Sequence, residues 1–285
     1  MNFTEKIRRD EQQYNDCLEA LARRVSANSS LRLLTLAGPS CSGKTTTTAK
    51  LLAALRHFGR DAYMLSIDDF YKSAAEMPKK PDGEPDFEAL DSFDLDALHT
   101  CLYNLTSGNA ADIPHFDFLK GRRSDVSCRM TLPADGIAVI EGLHALNPVI
   151  YQGFIPENQV LGVFLDCRTA SPSPIHYSRL MRRLVRDYFF RRADAEKTFY
   201  LWENVLVGEK KYIYPYASLA AVTINTRFDY EPQVLRDSVI RIVSELPAHS
   251  KYRVFAETIT AYLSALEPID PALVPADSLL REFIG

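Results

Sequence analysis

A glycine-rich segment between an apolar run and a helix-forming stretch constrains the fold of this chain more than any other feature. Residues 38–45 read Gly-Pro-Ser-Cys-Ser-Gly-Lys-Thr and match the pattern G-x-x-x-x-G-K-[ST]. The apolar residues 31–37 precede this segment, and a stretch with helical periodicity follows it as far as Gly59. A buried strand, a glycine loop and a helix in that order are typical of α/β folds with a parallel sheet.

The same segment predicts a binding site for phosphate groups. Its glycines let the backbone turn tightly, so that successive N–H groups point at phosphate oxygens, and the positive end of the following helix adds to the attraction. Lys44 is expected to reach the β- and γ-phosphates of a nucleotide, and the Thr45 hydroxyl to bind Mg²⁺. We therefore expect ATP and Mg²⁺ as ligands, held by Gly38, Ser40, Cys41, Ser42, Gly43, Lys44, Thr45 and Thr46. The motif by itself suits a kinase, a GTPase switch or a motor ATPase, but the sequence has no N-K-x-D segment for reading guanine.

Further apolar runs alternate with stretches of helical periodicity along the rest of the chain. The runs that predict buried strands are residues 62–67, 136–140, 160–165 and 221–224, and the stretches that predict helices are 5–25, 95–105 and 172–190. Residues 73–87 are rich in proline, lysine and acids, which predicts a loop or flap. The alternation predicts a doubly wound parallel sheet with helices on both faces, in the α/β class.

Length and pattern together predict one large domain with an appendage at each end. The chain has 285 residues, which exceeds one minimal domain and falls short of two full ones. We expect a helical extension at residues 1–30, the main domain at 31–245 and a helical appendage at 246–285. We expect the two terminal segments to serve in packing, or in contacts between copies of the chain in a homo-oligomer, rather than in chemistry.

Composition and charge exclude several classes of protein. The formal net charge is −4, which gives no overall attraction to nucleic acid or to an anionic membrane. No apolar run approaches the roughly 20 residues that a membrane-spanning helix needs, and residues 1–13 lack the apolar core of a secretory signal. The five cysteines show no paired short spacing, which argues against a zinc site or a disulfide framework. We therefore expect a cytoplasmic protein that acts on a small molecule.

Acidic residues stand directly after three of the predicted strands. Asp68 and Asp69 follow the strand at 62–67, Glu141 follows 136–140, and Asp166 follows 160–165. Ligands of open parallel sheets bind beyond the carboxyl ends of the strands, which is also the side of the glycine loop. Phosphoryl transfer needs a carboxylate to orient or deprotonate the acceptor and an acid near Mg²⁺. Asp68 is our candidate for the base. Glu141 and Asp68 are our candidates for binding the metal ion, whereas Asp166 is expected to be structural.

Arginines recur on one face of the helix expected at residues 172–190. Arg179, Arg182, Arg183 and Arg186 follow the spacing i, i+3, i+4, i+7, and Arg191 and Arg192 come after them. Arginines on a closing lid can stabilise the charge of a transferring phosphoryl group. The alternatives are a solvated basic face paired with nearby acids, and a surface that binds nucleic acid, which we consider the least expected.

The segments GPSCSGKTT, LSIDDFYK, IPHFDF, VIEGLHAL and RRLVRD, in this order and spacing over about residues 31–230, resemble the uridine kinase/phosphoribulokinase family. The resemblance implies a P-loop fold of the nucleoside monophosphate kinase type and ATP-dependent phosphorylation of the 5′-hydroxyl of a nucleoside. The family's catalytic aspartate falls on Asp68 and its metal-associated glutamate on Glu141. Its lid falls around residues 179–200, where Arg183 and Arg186 are expected at the transferring phosphate and Arg191 at the nucleotide.

The resemblance also implies acceptor-binding residues, and there the sequence departs from the family. The expected acceptor contacts are Tyr71, Glu88, Phe116, Phe118 and Arg123. Phe116 replaces a tyrosine that is usual in uridine kinases, and Gly121 stands where a base-reading histidine is expected. A site that loses its reading group loses much of its discrimination, so uridine itself is less firmly indicated than phosphoryl transfer.

Two other functions remain open on the sequence. One is a kinase of a non-nucleoside alcohol such as a sugar phosphate, for which Lys120, Arg122 and Arg123 offer charge. The other is a nucleotide-dependent switch that phosphorylates no small molecule and binds RNA through the arginine helix.

Overall fold

The computed structural model describes residues 2–80, 83–118, 120–167 and 178–285. Its strands are β1 (Leu33–Ala37), β2 (Ala62–Ser66), β3 (Ala111–Ile113), β4 (Phe116–Asp117), β5 (Arg122–Arg123), β6 (Cys128–Met130), β7 (Ile137–Glu141), β8 (Val160–Asp166) and β9 (Val222–Asn225). Its α-helices are α1 (Phe3–Ser26), α2 (Lys44–His57), α3 (Leu95–Thr106), α4 (Ser178–Arg191), α5 (Ala195–Tyr212), α6 (Glu231–Ser244), α7 (Arg253–Ser264) and α8 (Arg281–Ile284).

A five-stranded parallel sheet forms the centre of the molecule, in the order β2-β7-β1-β8-β9. The central strand β1 pairs with β7 on one side and with β8 on the other, and all its residues are buried. This position explains its unbroken apolar sequence, because a strand covered on both faces has no solvent-facing side. The predicted doubly wound parallel sheet is confirmed.

Alternate residues of the central strand serve two separate apolar cores. Leu34 and Leu36 point into the core that α1, α2, α4, α6 and α7 cover. Leu33 and Ala37 point into the core on the other side, which α3 and the aromatic residues after β2 fill. Side chains of a strand alternate between its faces, so one five-residue segment contributes to both layers of helices.

The helix boundaries follow the sequence pattern, with local departures. Of the helix predicted at 172–190, the structure describes Ser178–Arg191 as helical, and residues 168–177 lie outside the described part. The predicted loop at 73–87 is a loop in its described residues, with one antiparallel bridge between Lys79 and Pro85. No helix among the described residues is both long enough and apolar enough to cross a membrane.

Both terminal segments pack onto the main domain. Helix α1 buries Tyr14 and Leu18 in the core that contains α2, and the Tyr14 hydroxyl lies 2.7 Å from that of Thr47. The C-terminal residues Leu279 and Phe283 are fully buried in the same core. The two segments therefore lie next to the first turn of α2, which follows the glycine loop.

Candidate active site

A cavity of about 600 Å³ opens at the carboxyl ends of the central strands. It runs from the glycine loop to the residues that follow β2 and β7. The residues expected from the sequence that line it are Ser40, Cys41, Gly43, Lys44, Thr45, Thr46, Asp68, Tyr71, Glu88, Glu141, Arg183, Arg186 and Arg191. The fold thus brings into one cavity groups as far apart in sequence as Ser40 and Arg191, because most of them follow a strand or lie on a helix at the same sheet edge.

The glycine loop has the backbone conformation that its sequence indicates. Gly43 has φ of 80°, in the left-handed region that glycine tolerates best, and a Cβ atom there would collide with the side chain of Leu279. A Cβ on Gly38 would lie 2.9 Å from Cβ of Leu165. Gly38 and the buried Ser42 belong to the loop but do not line the cavity.

The Lys44 ammonium lies within the loop. Its Nζ donates to the carbonyl oxygen of Gly38 at 3.0 Å and to that of Pro39 at 3.3 Å. A lysine in this position faces the cavity with its charge close to the loop's N–H groups. A polyanion that enters the cavity therefore meets the ammonium and the N-terminal end of α2 together.

Two arginines of α4 hold the glycine loop from beneath. Arg179 forms a buried ion pair with Glu209 of α5 at 2.6 Å and donates to the carbonyl oxygen of Ser40. The Glu209 carboxylate also accepts a hydrogen bond from the Ser40 N–H. Arg182 pairs with Glu231 through two bonds of 2.7 Å and donates to the carbonyl oxygen of Cys41 at 3.1 Å. These buried pairs fix the loop backbone and leave neither guanidinium on a solvated face.

The remaining arginines of α4 face the cavity and share one carboxylate. Asp187 lies 3.1 Å from Arg183, 3.0 Å from Arg186 and 3.8 Å from Arg191. Arg183 also donates to the Ser40 hydroxyl at 3.1 Å. Asp187 is buried, so solvent screens its attraction for these guanidinium groups only weakly. It therefore orients the three side chains toward the cavity.

Asp68 and Glu141 stand at the ends of neighbouring strands. The register pairs Ser66 of β2 with Glu141 of β7, and the Ser66 hydroxyl donates to Glu141 at 2.9 Å. Burial raises the pKa of Asp68 to about 6, reinforced by the Glu141 carboxylate, while the Lys44 ammonium acts in the opposite direction. The pair therefore concentrates negative charge beside the phosphate loop.

This donor set fits Mg²⁺. The Asp68 carboxylate, whose pKa the neighbouring Glu141 carboxylate helps to raise, Glu141 itself and a threonine hydroxyl offer the oxygen ligands that Mg²⁺ prefers. No cluster of three or more His, Cys, Asp or Glu side chains arranged for a metal occurs in the part of the chain that the structure describes. Mg²⁺ commonly binds through one or two carboxylates plus substrate phosphates, so Asp68, Glu141 and Thr45 suffice for it.

Tyr71, Phe87, Glu88 and Leu143 line the part of the cavity that we call the acceptor end. The Tyr71 hydroxyl donates to the carbonyl oxygen of Phe87 at 2.7 Å, and its ring stacks on Phe93 with centroids 4.2 Å apart. Burial, with a contribution from Glu209, raises the pKa of Glu88 to about 7. Tyr71 and Glu88 thus present an aromatic wall and a carboxyl group that can donate or accept near neutral pH.

Three residues expected to bind the acceptor lie away from the cavity wall. Phe116 is 1% exposed and packs in the core behind Tyr71, whereas Phe118 is 61% exposed at the surface. Arg123 donates to Asp94 and to the carbonyl oxygens of Phe70 and Tyr71, so it holds the segment after β2 in place. None of the three side chains lines the cavity, and their contact with an acceptor stays a prediction.

Glu282 is a charged cavity residue that the sequence did not indicate. Glu282 of α8 lines the cavity beside Thr46, Arg186 and Phe190, and it accepts a hydrogen bond from the Thr46 hydroxyl at 2.8 Å. It belongs to no motif, and its segment lies about 240 residues from the loop it contacts. Only the tertiary packing of the C-terminal segment reveals it.

Comparisons with known proteins agree with this geometry. A family model described as "Phosphoribulokinase / Uridine kinase family" matches residues 33–229. A uridine kinase of Staphylococcus haemolyticus (strain JCSC1435) is 28% identical over 174 residues, which cover 61% of this chain and 77% of that protein. A uridine kinase of Staphylococcus aureus (strain JH9) is 30% identical over 155 residues, covering 54% of this chain and 68% of that protein.

The fold is also similar to that of a solved kinase structure. A D-glycerate 3-kinase from Cryptococcus neoformans superposes with a TM-score of 0.52 at 16% identity, over 74% of this chain and 96% of that one. At this level of identity the similarity concerns the fold alone.

Proposed function

The chain belongs to the phosphoribulokinase/uridine kinase family, and from that premise we propose that it transfers the γ-phosphate of ATP to the 5′-hydroxyl of a nucleoside. That the protein is an ATP-dependent phosphotransferase follows from the family and its kinase relatives. The acceptor, the roles of the residues and the use of Mg²⁺ are the parts that we propose. One observation carries the proposal: a single cavity joins the phosphate loop, the Asp68 carboxylate and an acceptor end with an aromatic wall.

Different residues of the cavity have different roles in phosphoryl transfer. The loop N–H groups and Lys44 bind and orient the ATP phosphates, and Asp68 accepts the proton of the acceptor hydroxyl as its oxygen attacks the γ-phosphorus. The bond from that phosphorus to the β–γ bridging oxygen breaks, and ADP leaves. Arg183 and Arg186, oriented by Asp187, stabilise the negative charge on the transferring group. Mg²⁺, when bound by Thr45, Glu141 and Asp68, would neutralise phosphate charge.

The acceptor end favours a neutral alcohol with a ring. Tyr71 and Phe87 offer apolar and aromatic surface for a base, and Glu88 offers a hydrogen-bonding partner for sugar hydroxyls. None of Tyr71, Phe87, Glu88 and Leu143 is positively charged, and the two cations whose charge acts on Glu88, Arg183 and Lys44, are assigned to the phosphates of ATP. Lys120 pairs with Asp117 and Arg123 with Asp94, so these cations are engaged elsewhere. A nucleoside suits this surface better than an acceptor that already carries a phosphate.

A second candidate acceptor is favoured by one observation. Beyond Glu88 lies a smaller cavity of about 320 Å³ that shares this residue and includes Lys80 and Lys211 in its lining. A longer acceptor with an anionic group could place that group near these ammonium groups while its hydroxyl faces Asp68. This arrangement would suit a phosphorylated sugar or an acidic alcohol.

A substrate panel tests the two candidates. The purified protein is incubated with Mg·ATP and a set of nucleosides, sugars, sugar phosphates and hydroxy acids, and ADP release and product mass are followed. A nucleoside that gains one phosphate supports the proposal. If only an anionic alcohol reacts, the nucleoside assignment is wrong, and Lys211→Met should then raise KM for that acceptor. If ATP binds and no acceptor reacts, the nucleotide-switch alternative gains support, and salt-dependent RNA binding tests it directly.

The reaction is expected to lose rate in acid, because Asp68 must be ionised to accept a proton. Since burial raises the pKa of Asp68 to about 6, the neutral carboxyl predominates below that pH. The value of kcat/KM should therefore fall about tenfold for each further pH unit below the pKa. A pH profile of wild type and of Glu88→Gln checks this, because the variant removes the second carboxyl, whose pKa is about 7. A flat profile well below the pKa of Asp68 would rule out this residue as the base.

A further inference from the structure

The C-terminal segment covers one side of the phosphate loop. Leu279 packs on Gly43, and the guanidinium of Arg182 lies 5.3 Å from the ring centre of Phe283. Ser278 lies within hydrogen-bonding distance of the Tyr230 hydroxyl, and Asp277 pairs with Lys50 of α2 at 2.9 Å. The segment is therefore built into the wall of the cavity, although the family match ends at residue 229.

Glu282 is the charged residue that this segment places in the cavity. One of its carboxylate oxygens accepts the bond from the Thr46 hydroxyl at 2.8 Å. Thr46 lies in the first turn of α2, one position after Thr45. Arg186, Phe190 and Arg191 line the same cavity.

The order of the phosphate-binding groups fixes which part of ATP lies near Glu282. The γ-phosphate must point toward Asp68, Lys44 reaches the β- and γ-phosphates, and the first turn of α2 follows along the phosphate chain. The nucleoside of ATP consequently lies on the side of Thr46, whose hydroxyl bonds to Glu282. This step rests on the proposed binding of ATP and does not depend on the acceptor.

A carboxylate at that place repels phosphate oxygens and attracts hydrogen-bond donors. The ribose diol is the first pair of donors that follows the α-phosphate along ATP. A carboxylate has two oxygens with several lone pairs, so Glu282 can keep its bond to Thr46 and still accept from a hydroxyl. We propose that Glu282 binds the 2′,3′-diol of the ATP ribose and thereby selects ribonucleotides as phosphate donors.

Direct binding measurements test this inference without any acceptor. Affinities for ADP and for 2′,3′-dideoxy-ADP are measured by titration calorimetry in wild type, Glu282→Ala and Glu282→Gln. A hydroxyl bound to a charged group should make wild type prefer ADP by about 10-fold to 100-fold. Glu282→Ala should bind both nucleotides with nearly equal affinity, and Glu282→Gln should retain a smaller preference because its amide oxygen still accepts a hydrogen bond.

The control is Glu257→Ala, which removes an exposed carboxylate of α7 that pairs with Arg253 at 3.3 Å. This variant should keep the wild-type preference. A preference for ADP that survives in Glu282→Ala overturns the proposal. So does a variant that binds both nucleotides more tightly by the same factor, since Glu282 would then only repel the phosphates. If wild type binds neither nucleotide, the ATP assignment itself fails, which is a different result from an unselective site.

Discussion

Replacing Asp68 with asparagine is expected to lower kcat by about 10²-fold to 10⁴-fold while ATP still binds. Asparagine keeps the size of the side chain but cannot accept the proton of the acceptor hydroxyl. Steady-state rates with the best acceptor of the panel, together with nucleotide titration, measure both effects. The folded protein raises the pKa of Asp68 to about 6, above its value in the unfolded chain. As the pH rises toward 6, ionisation of this carboxyl group therefore lowers the stability of the native state. The variant should therefore unfold at a temperature no lower than wild type at neutral pH.

The adjacent carboxylate supplies the control for this variant. Asp69 accepts hydrogen bonds from the Phe116 N–H at 3.2 Å and from His115 at 3.0 Å, outside the cavity lining. Asp69→Asn should thus retain most of the wild-type kcat. If Asp68→Asn keeps full activity, or if Asp69→Asn loses as much, the base must be sought elsewhere.

Breaking the buried ion pair between Arg182 and Glu231 should have the largest effect on stability. Both side chains are 0% exposed, and the guanidinium also donates to the carbonyl oxygens of Cys41 and Thr226. Glu231→Ala leaves a buried positive charge without its partner, which commonly costs about 3–5 kcal/mol. Urea denaturation measures the loss in the free energy of unfolding. Nucleotide affinity should fall as well, because Arg182 holds the loop at Cys41.

Two further variants serve as controls for this prediction: one breaks an exposed ion pair, and the other removes both buried charges. Lys251 and Glu203 are 3.2 Å apart with both side chains well exposed, so Lys251→Met should change stability by less than about 1 kcal/mol. Arg182→Met combined with Glu231→Leu should recover part of the stability lost by Glu231→Ala, since no charge remains buried. A loss for Glu231→Ala no greater than that for Lys251→Met would contradict the assigned role of the pair.

The phosphate loop and the strand-end acids could be predicted because their chemistry is local in sequence. The pattern around Lys44 needs only its own spacing and the flanking strand and helix to indicate phosphate binding. Asp68 and Glu141 follow apolar runs, and parallel strands bring such ends to one edge. The structure places all three in one cavity, and their catalytic roles stay predictions until the variants are measured.

The rest of the site depends on long-range packing that no local pattern encodes. Arg179 and Arg183 belong to one stripe in the sequence. In the structure, an ion pair with Glu209 holds Arg179 beneath the loop, and an ion pair with Asp187 holds Arg183 at the cavity. Phe116 matched a motif, yet the core behind Tyr71 buries it. Glu282 reaches the cavity only because the last turn of the chain packs on α2. Except for Arg183, whose partner Asp187 lies four positions along the same helix, a partner distant in sequence decides the outcome.

The two buried ion pairs of α4 also restrict how this region can move when substrates bind. Swinging the whole helix would break the bonds from Arg179 and Arg182 to the carbonyl oxygens of the phosphate loop and expose unpaired charge. The last turn has no such attachment to the loop, and Phe190 and Arg191 are exposed there. Any closure over bound substrate would therefore have to bend the helix near Arg186 or begin after it, and it would have to keep or replace the bond from Tyr188 to Glu245 of α6.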